Sequence, residues 1–314
     1  MTFAFVFPGQ GSQSVGMLNS LADRPEVQAA LAEASLALGE DLTQLIAAGP
    51  AEALALTTNT QPVMLVAGVA CYRAWLATGG VKPAFVAGHS LGEYSALVAA
   101  EVISFQDAVP LVRYRAEAMQ TAVPLGTGTM AAILGLDGTQ VQAVCAEASA
   151  LTNEVVEAVN FNAPGQVVIA GANAAVTKAC ELLKAAGAKR ALPLSVSAPF
   201  HSSLLQTASE KLAIYLEKVT FHPPSIPLIN NVDVSVLSDP QAIKDALVRQ
   251  AAKPVRWQEI IQAMAAQGIT QVVECGPGKV LAGLTKRIDA QLQGLALFDD
   301  VSLHEVKIAL GKTA

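Results

Sequence analysis

The stretch Ala84 to Tyr94, which reads AFVAGHSLGEY, decides the fold that this sequence predicts. A short apolar run ends at Gly88, and the residues from Leu91 to Ala100 are typical of a helix. A strand, a sharp glycine-rich turn and a helix are the context of a nucleophile elbow, which lifts a serine above a sheet edge. Ser90 is therefore a candidate nucleophile, and the backbone N–H of Leu91 is a candidate oxyanion donor. The alternative is a glycine-rich turn with an incidental serine.

The same alternation of strands and helices continues on both sides of this stretch. Phe3 to Phe7 is a second buried strand, and Ser104 opens a helix that runs to about Thr121. Two later segments, Pro227 to Asn230 and Gln271 to Glu274, are also predicted strands. Strands followed by helices indicate a parallel, doubly wound sheet. We therefore predict an α/β fold whose large domain is α/β-hydrolase-like.

The middle of the chain has a different order of elements. Its predicted elements are a strand at 129–135, a helix at 139–148, strands at 155–161 and 167–171, a helix at 173–187 and a strand at 189–194. That order is βαββαβ, the split βαβ of ferredoxin-like domains. We predict an inserted ferredoxin-like subdomain at 125–197, with the large domain formed by 1–124 and 198–314.

Composition narrows the class of protein. Hydrophobic residues make up 52% and charged residues 15%, which is typical of an α/β enzyme with a large core. The net charge of −6 disfavours a nucleic-acid partner, and four scattered cysteines without a CxxC pair predict no metal site and no disulfide. The apolar stretch 63–72 is too short for a membrane span, and the N-terminus has no basic leader. We therefore expect a cytoplasmic protein.

A serine nucleophile needs a base, and histidine is the usual one. Among the four histidines, His201 lies in the stretch SAPFHS (197–202), where the chain leaves the predicted insertion and a cleft is favoured. The others are His89, which adjoins the serine and should point away from it, His222 in a connector and His304 near the C-terminus. His201 is the candidate base, and a structural cap or core histidine is the alternative.

The sequence leaves open which group orients that histidine. Asp233 and Glu274 both follow predicted strands and are possible acids. A backbone carbonyl can serve instead, and the sequence does not decide between them.

The loop 7–13, FPGQGSQ, also follows a strand. Glycines on both sides of Gln10 let its backbone approach a substrate closely, so it is a candidate second oxyanion donor. The alternatives are a plain turn or a phosphate loop. The loop lacks the lysine of a P-loop and the third glycine of a dinucleotide motif.

Three stretches together resemble the malonyl-CoA:acyl-carrier-protein transacylase family and the related acyltransferase domains of polyketide synthases. They are FPGQGSQ (7–13), GHSLGEY (88–94) and APFHS (198–202), with Arg115 between the second and third. The resemblance covers nearly the whole chain. The roles that it implies are nucleophile for Ser90, base for His201, backbone oxyanion donors for Gln10 and Leu91, malonyl binding for Arg115, a malonyl-type signature for Phe200 and a histidine-orienting main-chain carbonyl for Gln250.

The chemistry of Arg115 and Phe200 fits those implied roles. A buried guanidinium can bind the malonyl carboxylate through two parallel hydrogen bonds, whereas an acetyl group would leave the charge unpaired. The alternative is that Arg115 lies on the exposed surface of its helix. Arg113, two residues earlier on the same helix, should face in a different direction. The Phe200 ring would crowd an extra methyl group, and its alternative is an ordinary core residue.

The resemblance implies a ping-pong transfer of malonyl from malonyl-CoA to the phosphopantetheine thiol of holo acyl carrier protein, in fatty-acid or polyketide biosynthesis. It implies no permanently bound cofactor and no metal. Lys189-Arg190 and Lys286-Arg287 are candidate contacts for the anionic partners, and solvated surface charge is their alternative reading. Alternative functions are a serine thioesterase or esterase, an acyltransferase for another acyl-CoA, and a non-catalytic carrier-docking module.

Overall fold

A computed structural model describes residues 2–311 of the chain. The strands are β1 (Phe3–Phe7), β2 (Phe85–Gly88), β3 (Gly128–Leu134), β4 (Val156–Ala163), β5 (Gln166–Ala172), β6 (Arg190–Pro193), β7 (Gln271–Cys275) and β8 (Gln293–Leu297). The helices are α1 (Pro25–Leu38), α2 (Leu42–Ala48), α3 (Ala51–Ala55), α4 (Thr57–Ala77), α5 (Gly92–Ala99), α6 (Phe105–Gln120), α7 (Gly138–Thr152), α8 (Asn173–Ala185), α9 (Gln206–Leu216), α10 (Pro240–Gln250), α11 (Trp257–Ala266), α12 (Val280–Ile288) and α13 (Asp300–Ala309).

The first sheet is parallel and has the strand order β2-β1-β7-β8. Parallel sheets are covered on both faces, which explains why every residue of β1 is buried. Phe5 and Phe7 join a core cluster with α4, whereas Ala4 and Val6 face the opposite side, in a cluster with Trp257 of α11. The prediction of an α/β fold with a parallel sheet and helices is confirmed.

The second sheet is antiparallel and has the strand order β4-β5-β3-β6. Between residues 128 and 193 the elements follow the order strand, helix, strand, strand, helix, strand. Side chains such as Ile133 and Ile169 pack among α7 and α8, whereas Met130 and Val168 join a cluster with Phe200. The face of the sheet without helices therefore packs against the segment that leads to His201.

One local prediction was wrong, and one strand was missed. The predicted strand from Pro227 to Asn230 makes only isolated bridges, Val86 with Leu228 and Ile229 with Val236. A proline has no N–H to donate to a ladder, so Pro227 limits this segment to a short edge contact. Strand β8 was not predicted at all, because its five residues include Gln293 and Gly294 and show no clear period. Between residues 2 and 311 no helix is long and apolar enough to cross a membrane.

Gly92 is the first residue of α5 and lies against the end of β1. A Cβ atom at this position would stand 2.0 Å from the carbonyl oxygen of Phe7. The absence of a side chain therefore lets the loop that contains Gln10 approach the turn that contains Ser90. This close approach brings two segments, separated by the four helices α1–α4, to one place.

We predict that Gly92→Ala destabilises the protein by at least about 2 kcal/mol, because the new methyl group overlaps backbone atoms that cannot move independently. The measurement is the free energy of unfolding from chemical denaturation. Gly283→Ala in α12 is the matched control, since its Cβ would meet no atom within 4 Å. It should stabilise the protein by about 0.4–1 kcal/mol. Equal effects of the two substitutions would contradict the packing argument.

Candidate active site

The turn between β2 and α5 holds Ser90 in an unusual backbone conformation. Its φ is +52°, in the left-handed region that non-glycine residues seldom occupy. The Ser90 N–H donates to Asn231 Oδ1 at 2.8 Å, and Asn231 Nδ2 donates to the Gly88 carbonyl at 2.7 Å. One buried amide therefore fixes the turn on both sides of the serine, as expected where strain is held at a functional position.

The structure brings Ser90 and His201 together from positions 111 residues apart. Ser90 Oγ lies 2.7 Å from His201 Nε2, and His201 Nδ1 lies 2.8 Å from the main-chain carbonyl oxygen of Gln250. A carbonyl oxygen only accepts, so Nδ1 carries the proton. Nε2 is then left with a free electron pair facing the serine hydroxyl, which is the arrangement of a general base.

The surroundings of His201 keep its ring neutral. The side chain is buried, and burial together with the nearby positive charge of Arg115 lowers the pKa of His201 to about 3. His89 does not compete for the serine, because its Nε2 lies 2.8 Å from Asn162 Oδ1. His201 is therefore available as an unprotonated base across the neutral range.

Neither acidic candidate reaches the histidine. Asp233 forms an exposed ion pair with Arg249, with 2.6 Å between Asp233 Oδ2 and Arg249 Nη2. Glu274 is buried, and its Oε2 accepts the backbone N–H of Ala282 in α12 at 2.9 Å. The sequence left open which group orients His201, and in the structure that group is the backbone carbonyl of Gln250.

Arg115 lies inside the site, with 1% of its surface exposed. Its Nη2 donates to Ser90 Oγ at 3.1 Å and to Gln250 Oε1 at 2.8 Å, and its Nη1 donates to Gln61 Oε1 at 2.7 Å. Its buried Nε has no partner among the described residues. Arg113 instead pairs with Glu40 near the surface. A buried guanidinium with spare donors beside a nucleophile is suited to an anionic substrate group.

Gln10 and Leu91 line the same cavity as Ser90 and His201. Gly9 allows this approach, because a Cβ there would lie 2.6 Å from the His89 carbonyl oxygen. The loop after β1 and the start of α5 thus meet beside the serine. Two backbone segments at this place are what an oxyanion hole requires.

The cavity has a volume of about 200 Å³ and is lined by both polar and apolar side chains. Besides Leu91, the apolar lining residues are Met119, Met130, Val168, Leu194, Val196 and Phe200. A neighbouring cavity of about 590 Å³ shares Gln10 and Val196 with the first and is also lined by Leu56 and Leu125, which are exposed. Such a cleft can hold a small acyl group at its inner end and a longer arm outside it.

Sequence reasoning missed four side chains of this site: Gln61, Glu93, Asn231 and the amide of Gln250. Glu93 Oε2 accepts Nε2 of Gln250 at 2.8 Å and the Asn231 N–H at 3.1 Å. Burial raises the pKa of Glu93 to about 7, against the effect of these hydrogen bonds. The available signal for Gln61, Glu93 and Gln250 was a polar residue at a helix position that is buried in the structure. Asn231 lies in a turn and gave no such signal. No cluster of three or more metal-ligating side chains occurs within residues 2–311.

Comparisons with known proteins agree with this geometry. The model of the acyl transferase domain family matches residues 4–294. The malonyl CoA-acyl carrier protein transacylase of Escherichia coli K12 is 57% identical over 296 residues, which are 94% of this chain and 95% of that protein.

Two solved structures are similar over almost the full chain. The acyl-carrier-protein S-malonyltransferase of Burkholderia pseudomallei is 68% identical, with a TM-score of 0.96 over 98% of this chain and 99% of that one. A malonyl-transacylase solved in complex with its type II polyketide synthase acyl-carrier protein is 51% identical, with a TM-score of 0.95 over 97% of this chain and 98% of that one.

We predict that an uncharged phosphonylating reagent labels Ser90 at a rate that stays level from about pH 8 to about pH 5. The rate needs neutral His201, and its lowered pKa of about 3 keeps the ring neutral over that range. The measurement is intact-protein mass against time at each pH, with circular dichroism to verify the fold. His201→Ala is the control and should label slowly at every pH. A fall in rate centred near about 6.5, the ordinary histidine value, would contradict the prediction.

Proposed function

This chain belongs to the acyl transferase family, and we propose that it transfers a malonyl group from malonyl-CoA to the phosphopantetheine thiol of holo acyl carrier protein through an ester on Ser90. The observation that carries the proposal is the buried guanidinium of Arg115, 3.1 Å from Ser90 Oγ. An acyl group bound at the serine would place a terminal carboxylate within reach of that cation. The related enzymes whose names specify malonyl support the same substrate.

The cavity discriminates by charge and by size. Arg115 has spare N–H donors for a carboxylate, and an acetyl group would leave them unpaired in a dry site. Leaving one partner of a buried ion pair uncompensated costs about 3–5 kcal/mol, which is enough for strong selection. Phe200 and Met130 line the same cavity, and a bulky ring there would crowd a substituent on the malonyl methylene.

In the first half-reaction Ser90 Oγ attacks the thioester carbonyl carbon as His201 Nε2 takes the hydroxyl proton. The backbone N–H groups of Gln10 and Leu91 stabilise the tetrahedral oxyanion, and one such donor is worth about 2.7–4 kcal/mol. The carbon–sulfur bond then breaks, and His201 returns the proton to the departing coenzyme A thiolate. The Gln250 carbonyl stabilises the transient imidazolium through Nδ1–H.

In the second half-reaction the carrier thiol occupies the position that coenzyme A left. His201 Nε2 takes the thiol proton, the sulfur attacks the ester carbonyl, and Ser90 leaves with the proton that His201 returns. The bond from Arg115 Nη2 that reaches the serine in the free enzyme becomes available to the malonyl carboxylate once Ser90 is acylated. Holding the acyl group there keeps its carbonyl in the oxyanion site and away from water.

We also infer an α/β-hydrolase-like large domain at 1–124 and 198–314, with a ferredoxin-like subdomain inserted at 125–197. The order of elements and the strand order β4-β5-β3-β6 support this division. The cavity between Ser90 on one side and Met130 and Val168 on the other supports a site between the two parts. A cytoplasmic location and the lack of a resident cofactor stay predictions.

The two basic pairs that the sequence offered converge on one surface. Leu134 of β3 pairs with Gln166 on one side and with Arg190 on the other, and Arg287 of α12 donates to Gln166 Oε1 at 2.5 Å. Lys189 and Lys286 adjoin these arginines and are exposed. We propose this surface as the contact for the anionic carrier, because an acidic enzyme needs a local positive patch to attract it.

We predict that malonyl-CoA adds one malonyl group to the wild-type protein and none to Ser90→Ala, as measured by intact-protein mass. Arg115→Ala should load malonyl about 100-fold more slowly or worse, while keeping acetyl loading, because the carboxylate loses its buried partner. Arg113→Ala is the matched control, since Arg113 lies two positions away and pairs with Glu40. Its malonyl loading should equal that of the wild type.

Free malonate formed rapidly without a carrier protein would contradict the proposal and favour a thioesterase. Malonyl loading of Ser90→Ala would contradict the role of the serine. Equal losses in the Arg113 and Arg115 variants would contradict the assignment of the carboxylate site.

We predict that Arg287→Glu raises KM for holo acyl carrier protein without changing the rate of Ser90 loading from malonyl-CoA. The substitution reverses a charge on the proposed carrier surface and leaves the cavity intact. The measurement is transfer from the preloaded enzyme at several carrier concentrations and ionic strengths, since added salt should diminish the difference. Lys218→Glu is the control at another exposed lysine, and an equal rise in KM there would contradict a localised patch.

A further inference from the structure

Glu93 is a buried carboxyl group that the two half-reactions do not use. It lies in the first turn of α5, three residues after Ser90, and 1% of its surface is exposed. A buried carboxyl group costs stability unless hydrogen bonds hold it. Its Oε2 accepts the side-chain amide of Gln250 at 2.8 Å and the backbone N–H of Asn231 at 3.1 Å. Glu93 therefore contacts the residue that also contacts both His201 and Arg115.

The side-chain amide of Gln250 has different neighbours at its two ends. Its Oε1 accepts from Arg115 Nη2 at 2.8 Å, whereas its Nε2 donates to Glu93 and, at 3.0 Å, to the Ser90 carbonyl oxygen. If the amide were turned over, NH₂ would face a guanidinium and the oxygen would face two acceptors. All three hydrogen bonds would be lost, so the acceptors on the Nε2 side select one orientation.

The orientation of the Gln250 amide matters because it gives Arg115 a neutral oxygen as a partner. Every hydrogen-bond partner of Arg115 among the described residues is neutral. The partners are the side-chain oxygens of Gln61, Gln250 and Ser90. A carboxylate bound directly to Arg115 would occupy the N–H groups that the substrate carboxylate needs. Glu93 instead stands one amide away from the guanidinium. Burial lowers the pKa of Arg115 and is the larger effect. The charge of Glu93 acts in the opposite direction and raises that pKa.

We propose that Glu93 is a positioning residue for malonyl recognition. Its Oε2 holds the Gln250 amide with the oxygen toward Arg115, and so fixes the guanidinium beside Ser90 while leaving donors for the substrate. This inference rests on the proposed malonyl transfer. Glu93 touches neither the substrate nor the reacting atoms, and it acts through Gln250.

The test compares malonyl with acetyl loading of Ser90 by intact-protein mass, as the ratio of the two kcat/KM values. Glu93→Met fills the space but accepts no N–H bond, so Gln250 Nε2 keeps only the Ser90 carbonyl oxygen as an acceptor, and Gln250 Oε1 is held less firmly toward Arg115. We expect the malonyl-to-acetyl ratio to fall about tenfold or more, as the loss of one buried hydrogen bond implies. Glu93→Gln retains an accepting oxygen and should keep the ratio near that of the wild type.

Glu274→Met is the matched control, since Glu274 is also a fully buried carboxyl group but bonds to the start of α12. It should lower thermal stability without changing the ratio. An unchanged ratio in Glu93→Met, or an equal fall in Glu93→Gln, would overturn the inference. If Glu93→Met does not fold, Glu93→Asp decides, because its shortened side chain withdraws the acceptor and should also lower the ratio.

The same experiment separates this inference from the function on which it rests. A wild-type protein that takes no malonyl group onto Ser90 would overturn the proposed function. Normal malonyl loading of the wild type, together with an unchanged ratio in the folded Glu93→Met or Glu93→Asp protein, would overturn the role of Glu93 alone.

Discussion

The hydrogen bond from His201 Nδ1 to the main-chain carbonyl of Gln250 is the contact on which the site depends. It places the ring proton on Nδ1, so that Nε2 presents its electron pair to Ser90 at 2.7 Å. A neutral carbonyl can orient the imidazole without adding a negative charge near it. The ring then stays weakly basic beside Arg115, and in the proposed reaction the substrate carboxylate is the anion that this cation binds.

Gln250 contacts both His201 and Arg115, through two different polar groups. The main-chain carbonyl holds the base, and the side-chain oxygen holds the guanidinium of Arg115. Asn231 fixes the strained turn at Ser90 in a similar way, with one amide bonded on both sides of the serine. Ser90, His201 and Arg115 are thus all held by amide groups, and Glu93 connects Gln250 to Asn231.

Features formed by residues adjacent in the chain could be predicted from the sequence, whereas few contacts between distant segments could. The turn at Ser90 could be predicted, since strand, glycines and helix are adjacent in the chain. His201 could be selected because only four histidines exist. The partners of Gln61 and Asn231 could not be predicted, because these buried amides bind groups from distant segments that no local pattern reveals. The segment that begins at Pro227 was predicted to be a strand but makes only isolated bridges. An apolar run in the sequence does not reveal how many hydrogen bonds it forms with a neighbouring strand.

The most direct test of the account is the protonation state of His201, measured by nitrogen NMR of the folded protein with ¹⁵N-labelled histidine at neutral pH. We expect a neutral ring with the proton on Nδ1 and an unprotonated Nε2. A charged imidazolium, or a neutral ring with the proton on Nε2, would leave Ser90 without a base and would contradict the account.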